Sequence, residues 1–174
     1  MRLGRFLHPG DAGFTLIEAI MVVVLLAILA AAVLIKNPIE KIRLNGAAEK
    51  VKTDIRYARK LAVSSQQRAG IEFRTDGYSV YGVMNSITNT AATASSDACS
   101  KDASGNFVVD FTAARCAELS GITLSPSMKV AFDSLGIPVD ASTGAPLSTQ
   151  TVTVNGSAGS KTITIEGQTG TVTD

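Results

Sequence analysis

The sequence predicts an α+β chain in which a long N-terminal α-helix, half transmembrane in character and half amphipathic, packs on an antiparallel β-sheet or small β-sandwich. Three observations carry that prediction. An unbroken apolar run fills residues 14–35; apolar residues then recur every three or four positions to about Ser65; and from Ala69 the period falls to two. The 174 residues have room for one ordinary domain plus one long extra element. One His and two Cys exclude most His/Cys metal centres and any Ser-His-Asp triad that does not use His8.

The overall balance, 16 Lys+Arg against 15 Asp+Glu, conceals an asymmetry. Residues 1–13 form a short polar leader with Arg2, Arg5 and Asp11, and residues 14–35 hold one charge, Glu18. Residues 36–68 carry nine cations and three anions; residues 69–174 carry five cations and ten anions. These shifts divide the chain into a leader, an apolar rod, a basic helix and an acidic body.

The apolar run is 22 residues long, about 33 Å as a helix, which matches the roughly 30 Å hydrocarbon core of a bilayer. It is longer than a secretory apolar region, and it continues into Lys36-Asn37-Pro38 with no small-residue cleavage site. Arg2 and Arg5 favour a cytoplasmic N-terminus, whereas Lys36, Lys41 and Arg43 argue the other way. Glu18 is the anomaly: a carboxylate in such a run costs about 2.5–3.5 kcal/mol at mid-bilayer unless it snorkels or finds a cation. A chain cut between Gly13 and Phe14 would supply one, because the new α-amine lies four residues from Glu18, in reach within one molecule or between neighbours.

Gly13-Phe14-Thr15-Leu16-Ile17-Glu18, behind a basic leader and ahead of the apolar run, resembles the processing site of type IV prepilins and type II secretion pseudopilins. The resemblance implies cleavage after Gly13 by prepilin peptidase and N-methylation of Phe14. It implies Glu18 as the assembly carboxylate, with Thr15 beside it. It further implies a single pass through the bacterial inner membrane with the globular domain in the periplasm. Extraction into a filament would follow, through contacts with an inner-membrane assembly platform and other pilins or pseudopilins. No cofactor belongs to this scheme.

Beyond Pro38, where a kink is expected, Ile39, Ile42, Ala47, Val51, Ile55, Ala58 and Ala62 read as one apolar helix stripe. Gly46 weakens that helix by roughly 1 kcal/mol relative to Ala. Arg56-Tyr57-Ala58-Arg59-Lys60 is basic with an interleaved aromatic. It reads as a solvated or subunit-facing helix side, as a nucleic-acid patch, or, with Lys50 and Lys52, as a stripe meeting the acidic surface of a neighbouring subunit.

In the body, alternation over 70–74 and 78–84 with Asp76-Gly77 between them predicts a hairpin. Residues 107–111, 128–132, 149–154, 161–166 and 169–173 are further strand candidates. Residues 155–160 read as a turn, and 135–146 and 85–106 as loops. Cys99 and Cys116 fit one disulfide outside the cytoplasm, with two free thiols as the alternative. Asp97, Asp102, Asn106 and Asp110 match no calcium-loop spacing, so no metal site is assigned and solvated loop carboxylates are the reading adopted.

Tyr57-Ala58-Arg59-Lys60-Leu61-Ala62-Val63-Ser64, Ile71-Glu72-Phe73, residues 130–138 (VAFDSLGIP), Ile163-Thr164-Ile165 and Thr169-Gly170-Thr171-Val172 are similar to the GspH/FimT-type minor pilins and pseudopilins. This implies a helix packed on a two-sheet β domain and a minor subunit placed at or near a filament tip. A tip-borne binding module for a surface or DNA ligand is the alternative, with Asn85, Asp97, Asp102 and Asn106 as its candidate contact residues. Some relatives bind DNA through Arg-rich C-terminal residues; residues 167–174 contain no cation. No nucleophile–base constellation or phosphate loop is present, so the chain is expected not to be an enzyme.

Overall fold

The computed structural model describes residues 15–33, 38–84, 89–93 and 97–174. The chain divides into two units, Met1–Asn37 and Pro38–Asp174. In the first, helix α1 runs Leu16–Val33, and every side chain described on it, through Ala30, is exposed. Among the described residues no helix is long and apolar enough to cross a membrane. The 18 residues of α1 are about 27 Å long. Phe14 and residues 34–35, which complete the apolar run in sequence, lie outside the described residues, as does most of the expected kink.

The second unit opens with helix α2, Pro38–Ser65, starting at a proline where a missing N–H costs nothing. Its buried face is Leu44, Ala47, Ala48, Val51, Ile55, Ala58 and Ala62, spaced at three or four. Ile39 and Ile42 do not belong to it: they are 66% and 69% exposed on the outward side. The expected stripe therefore starts one turn late. At 100° per residue Ile42 lies well over a third of a turn from Leu44, and spacing alone did not reveal which of two overlapping apolar rows the body covers.

Among the described residues ten strands follow: β1 Ala69–Arg74, β2 Gly77–Met84, β3 Asn89–Ala91, β4 Val108–Asp110, β5 Thr123–Ser125, β6 Met128–Phe132, β7 Pro138–Val139, β8 Gln150–Gly156, β9 Gly159–Ile165 and β10 Val172–Thr173. One sheet has the order β3-β2-β1-β6-β7, with β4 also paired to β2; the other has the order β10-β9-β8-β5. All the pairings are antiparallel. Helix α2 contacts strands of both sheets, and its alanines let the backbone lie close to them.

The core alternates as a half-buried sheet requires. Val152, Val154, Ile163 and Ile165 point inward, with Val152 opposite Ile163, while Thr151, Thr153, Thr162 and Thr164 line the other face. In the first sheet Ile71 and Phe73 are buried, and Glu72 on the opposite face pairs with Lys129 at 3.2 Å. The Phe73, Tyr78 and Phe111 rings form a tilted and edge-on chain.

Four turn and loop assignments change, one of them the expected loop 85–106, which contains β3 and the 3-10 turn Ala98–Ser100. The β1–β2 hairpin turns at Thr75-Asp76, not Asp76-Gly77. Gly77 pairs with Arg74 and opens β2 where a Cβ would lie 2.1 Å from the Val109 carbonyl oxygen. The glycine serves close backbone approach there, not the turn. Residues 155–160 are mostly strand, with Gly156 opposite Gly159. The expected loop 135–146 contains β7, which adds to the sheet edge beside β6; its two residues are too few to leave a period.

Candidate functional site

At the N-terminus, Thr15 caps α1. The Glu18 backbone N–H donates to the Thr15 carbonyl at 3.0 Å and lies 3.4 Å from Thr15 Oγ1. The T-x-x-E spacing is that of a capping box, so Glu18 occupies the third helical position, where the positive end of the helix dipole favours a carboxylate by about 0.3–1 kcal/mol. Around it Leu16, Ile17, Ile20 and Met21 are 54–80% exposed. Gly13 and Phe14 lie outside the described residues.

In the body, the structure gathers residues that the spacing did not join. Lys50 on α2 donates from Nζ to Asp97 Oδ2 at 2.6 Å and to Ser100 Oγ at 2.7 Å, with Asp54 Oδ2 at 3.7 Å. The Tyr78 hydroxyl, fully buried, donates to Asp54 Oδ2 at 2.6 Å. Burial pushes the Asp54 carboxyl above its ordinary value, against the pull of the Tyr78 hydrogen bond and Lys50. Asp97, bonded by Lys50, is held below the usual carboxylate range. Burial drives the Tyr78 phenol well above its ordinary value.

This cluster is a clasp between α2 and the segment from Asp97 onward. Beside it Cys99 and Cys116 form a disulfide, both sulfurs' residues buried, which ties together the 3-10 turns Ala98–Ser100 and Ala114–Leu119. Tyr57 stacks on Phe107 at 5.6 Å on the same side. A signal for part of the clasp was available: Lys50 and Asp54 stand at i,i+4 on one helix. Nothing local marked Tyr78 or Ser100.

The raised Asp54 pKa has a direction that can be tested. The folded state holds this proton more tightly than the unfolded chain, so Asp54 favours folding at low pH. It disfavours folding increasingly as pH rises from the ordinary carboxylate range through the raised value. Asp54→Asn should therefore gain stability relative to wild type as pH rises across that window, measured by urea unfolding of the full chain in detergent. A difference independent of pH would refute the assignment.

The candidate loop residues have structural partners. Asp102 accepts backbone hydrogen bonds from Ser104 and Asn106, both at 2.8 Å, and one from the Asn106 side-chain amide at 3.1 Å. Asp110 closes a turn on Thr112. Asp97 caps the first 3-10 turn through the Cys99 N–H at 3.0 Å. Asn85 lies outside the described residues. Among the described residues, no group of three or more Asp, Glu, His or Cys side chains is arranged to hold a metal ion. A groove of about 600 Å³ between residues 147–149 and 166–169 has Glu166 as its one ionisable lining residue.

The basic stripe meets acid, though within its own chain. Lys52 pairs with Glu49 and with Asp174 at the C-terminus. Arg56 donates to the Val172 carbonyl at 2.8 Å, and Arg59 donates from Nε to the Gly136 carbonyl at 3.1 Å. With Lys50 bound to Asp97, most of the cations read as facing a neighbour or nucleic acid are occupied by the body. Folding brings the acidic half alongside the basic helix, and the nearest anions are intramolecular.

The family profile described as Type II transport protein GspH matches residues 47–170. The chain belongs to the GspH family. A second profile, the prokaryotic N-terminal methylation motif, matches residues 9–34. A GspH-type chain with this motif is a pilin-like structural protein, not an enzyme. Membrane anchorage followed by filament assembly, processing by prepilin peptidase and association with other pilins go with that motif. No curated protein matches the chain. Among solved structures, the type IV minor pilin FimU of Pseudomonas aeruginosa PAO1 is similar in two crystal forms. One has 20% identity over 77% of this chain and 89% of that chain, with a TM-score of 0.47; the other has 19% identity over 75% and 90%, with a TM-score of 0.44.

Proposed function

We propose that this protein is a minor pilin or pseudopilin, cut after Gly13, methylated on Phe14, and built into a type IV pilus or type II secretion pseudopilus through α1. Before assembly it crosses the inner membrane once, with residues 38–174 in the periplasm. The observation that carries this reading is the coincidence of the methylation motif with a helix whose described side chains are all exposed and whose only charge in the apolar run is Glu18. An apolar surface of that extent is stable only in lipid or against other apolar helices. Glu18, unable to stay solvated there, takes the freed α-amine as its counter-ion and sets the register between subunits.

We place the subunit at or near the filament tip. The segment around Cys99, clamped by the disulfide and by Lys50, is a preorganised surface for a tip ligand. DNA is the less favoured ligand, since Lys50, Lys52, Arg56 and Arg59 of α2 are engaged within the chain.

Mass spectrometry of the protein from its own cells tests the reading. The expected mature chain starts at Phe14 and carries one extra methyl group, while Gly13→Leu leaves the precursor 13 residues longer. A native chain still starting at Met1, or a Gly13→Leu chain that is processed, would refute it.

A further inference from the structure

Ile39 and Ile42 are 66% and 69% exposed in the first two turns of α2. Single exposed apolar residues are ordinary on a protein surface; this pair is set apart by where it stands. Only residues 36–38 separate Ile39 from Ile35, the last residue of the apolar run. That step spans about 6 Å as helix and at most about 14 Å fully extended. The head-group layer on each side of the roughly 30 Å hydrocarbon core is about 5–7 Å deep. An anchor ending at Ile35 therefore keeps Ile39 at that layer, with Ile42 one helical turn on.

The apolar character of this side stops there. At 100° per residue, Glu49, Thr53, Arg56 and Lys60 continue the row of Ile42 along α2, and all four are exposed. A seam for another helix would stay apolar along its length. Here the apolar part is confined to the end that adjoins the anchor.

The charges suit phospholipid. Lys41, between the two isoleucines in sequence, is exposed and has no partner among the described residues. Glu40, the one carboxylate of residues 38–45, is engaged by Arg43 at 3.4 Å and by the Ser157 hydroxyl at 2.8 Å. The bond from Ser157 pins the tip of the β8–β9 hairpin beside the first turn. Residues 157–160 (SAGS) are exposed, small and uncharged, so the tip adds nothing that lipid phosphate repels.

We propose that before assembly the first two turns of α2 lie in the head-group layer of the periplasmic leaflet, with Ile39 and Ile42 among the lipid and Lys41 on anionic phosphate. Apolar area and attraction to anionic lipid both add to such binding. The contact rests on the membrane-anchored reading for its setting, while its residues belong to the unit Pro38–Asp174.

The chain has no Trp, so a single introduced indole reports its own surroundings. Three full-length forms, Ile42→Trp, Leu135→Trp and Ile28→Trp, are to be reconstituted in vesicles of phosphatidylethanolamine and phosphatidylglycerol. Leu135 is the control. It is 74% exposed, and the adjoining Gly136 lies against Val63, 21 positions along α2 from Ile42, about 32 Å.

Lipid spin-labelled on its head group should quench Ile42→Trp about threefold more than Leu135→Trp. Adding Lys41→Glu to the Ile42→Trp form, or omitting phosphatidylglycerol, should lower that quenching. Equal quenching of the two forms would overturn the contact. So would an Ile42→Trp indole shielded from aqueous iodide without lipid quenching, as beneath a protein neighbour. Quenching indifferent to Lys41 and to phosphatidylglycerol would overturn the anionic partner. Lipid labelled deep in its acyl chain should quench Ile28→Trp; if it does not, the anchored reading itself fails.

Discussion

Replacing Glu18 with alanine should leave leader removal and the folded body intact yet reduce incorporation into filaments by at least tenfold. On the proposed reading the cut lies on the leader side, at Gly13, and Glu18 lies in the unit Met1–Asn37, whereas the folded body is the unit Pro38–Asp174. In the proposed assembly the same change leaves the α-amine without its counter-ion among apolar helices. Removing one partner of a buried pair costs about 3–5 kcal/mol; even a third of that is tenfold. Helix α1 would also lose the favourable term of a first-turn carboxylate, a smaller effect of about 0.3–1 kcal/mol. Quantitative blotting of sheared filaments, normalised to processed subunit in the membrane, reads the result. Unchanged incorporation would exclude the amine–carboxylate pairing. Thr15→Ala is the control for a weakened helix start, because it removes the cap and spares the carboxylate.

The double change Cys99→Ser, Cys116→Ser should destabilise the body by about 3 kcal/mol, as expected for a closed loop of this size. Both residues are buried, so two hydroxyls would also need partners in an apolar place, and the loss should meet or exceed that figure. The clasp confines the damage: Lys50 still binds Asp97 and Ser100, so the segment stays attached to α2 by its polar contacts. Urea unfolding followed by tyrosine fluorescence, with and without a strong dithiol reductant, measures it. A loss below about 1 kcal/mol would show that the clasp, not the disulfide, holds this segment.

Much of this organisation was legible from the residues. The change of period at Ala69, the apolar run and the T-x-x-E spacing are local patterns, and each reflects a local cause: strand pleating, helix pitch, a capping hydroxyl. Strands with clean alternation emerged at nearly their full lengths, as at Met128–Phe132. Of the shorter ones, β4 and β10 fall within the candidates 107–111 and 169–173, whereas β3, β5 and β7 leave no pattern and exist because a neighbouring strand offers a free edge. Ile39 and Ile42 were assigned to the buried face for a related reason, since periodicity gives the pitch of a helix but not which side its body will cover.

The basic stripe makes the same distinction for charge. The charge map offers acidic surface of a neighbouring subunit as one of three readings of the cationic helix; it does not point to Asp97, Asp174 and the carbonyls of Val172 and Gly136 of the same chain. Those partners lie from 47 to 122 positions away.

What the sequence by itself determined is the kind of protein: a processed, anchored, non-catalytic subunit with a helix followed by a β body, because leader, run, cap and period are short-range patterns. Tertiary structure alone decided which groups are spent inside the chain and which remain outside. Lys50, Lys52, Arg56 and Arg59 are engaged internally; Ile39, Ile42, Val63 and Leu135 are left uncovered. Burial is a property of what surrounds a residue, and the surroundings here are assembled from segments far apart along the chain.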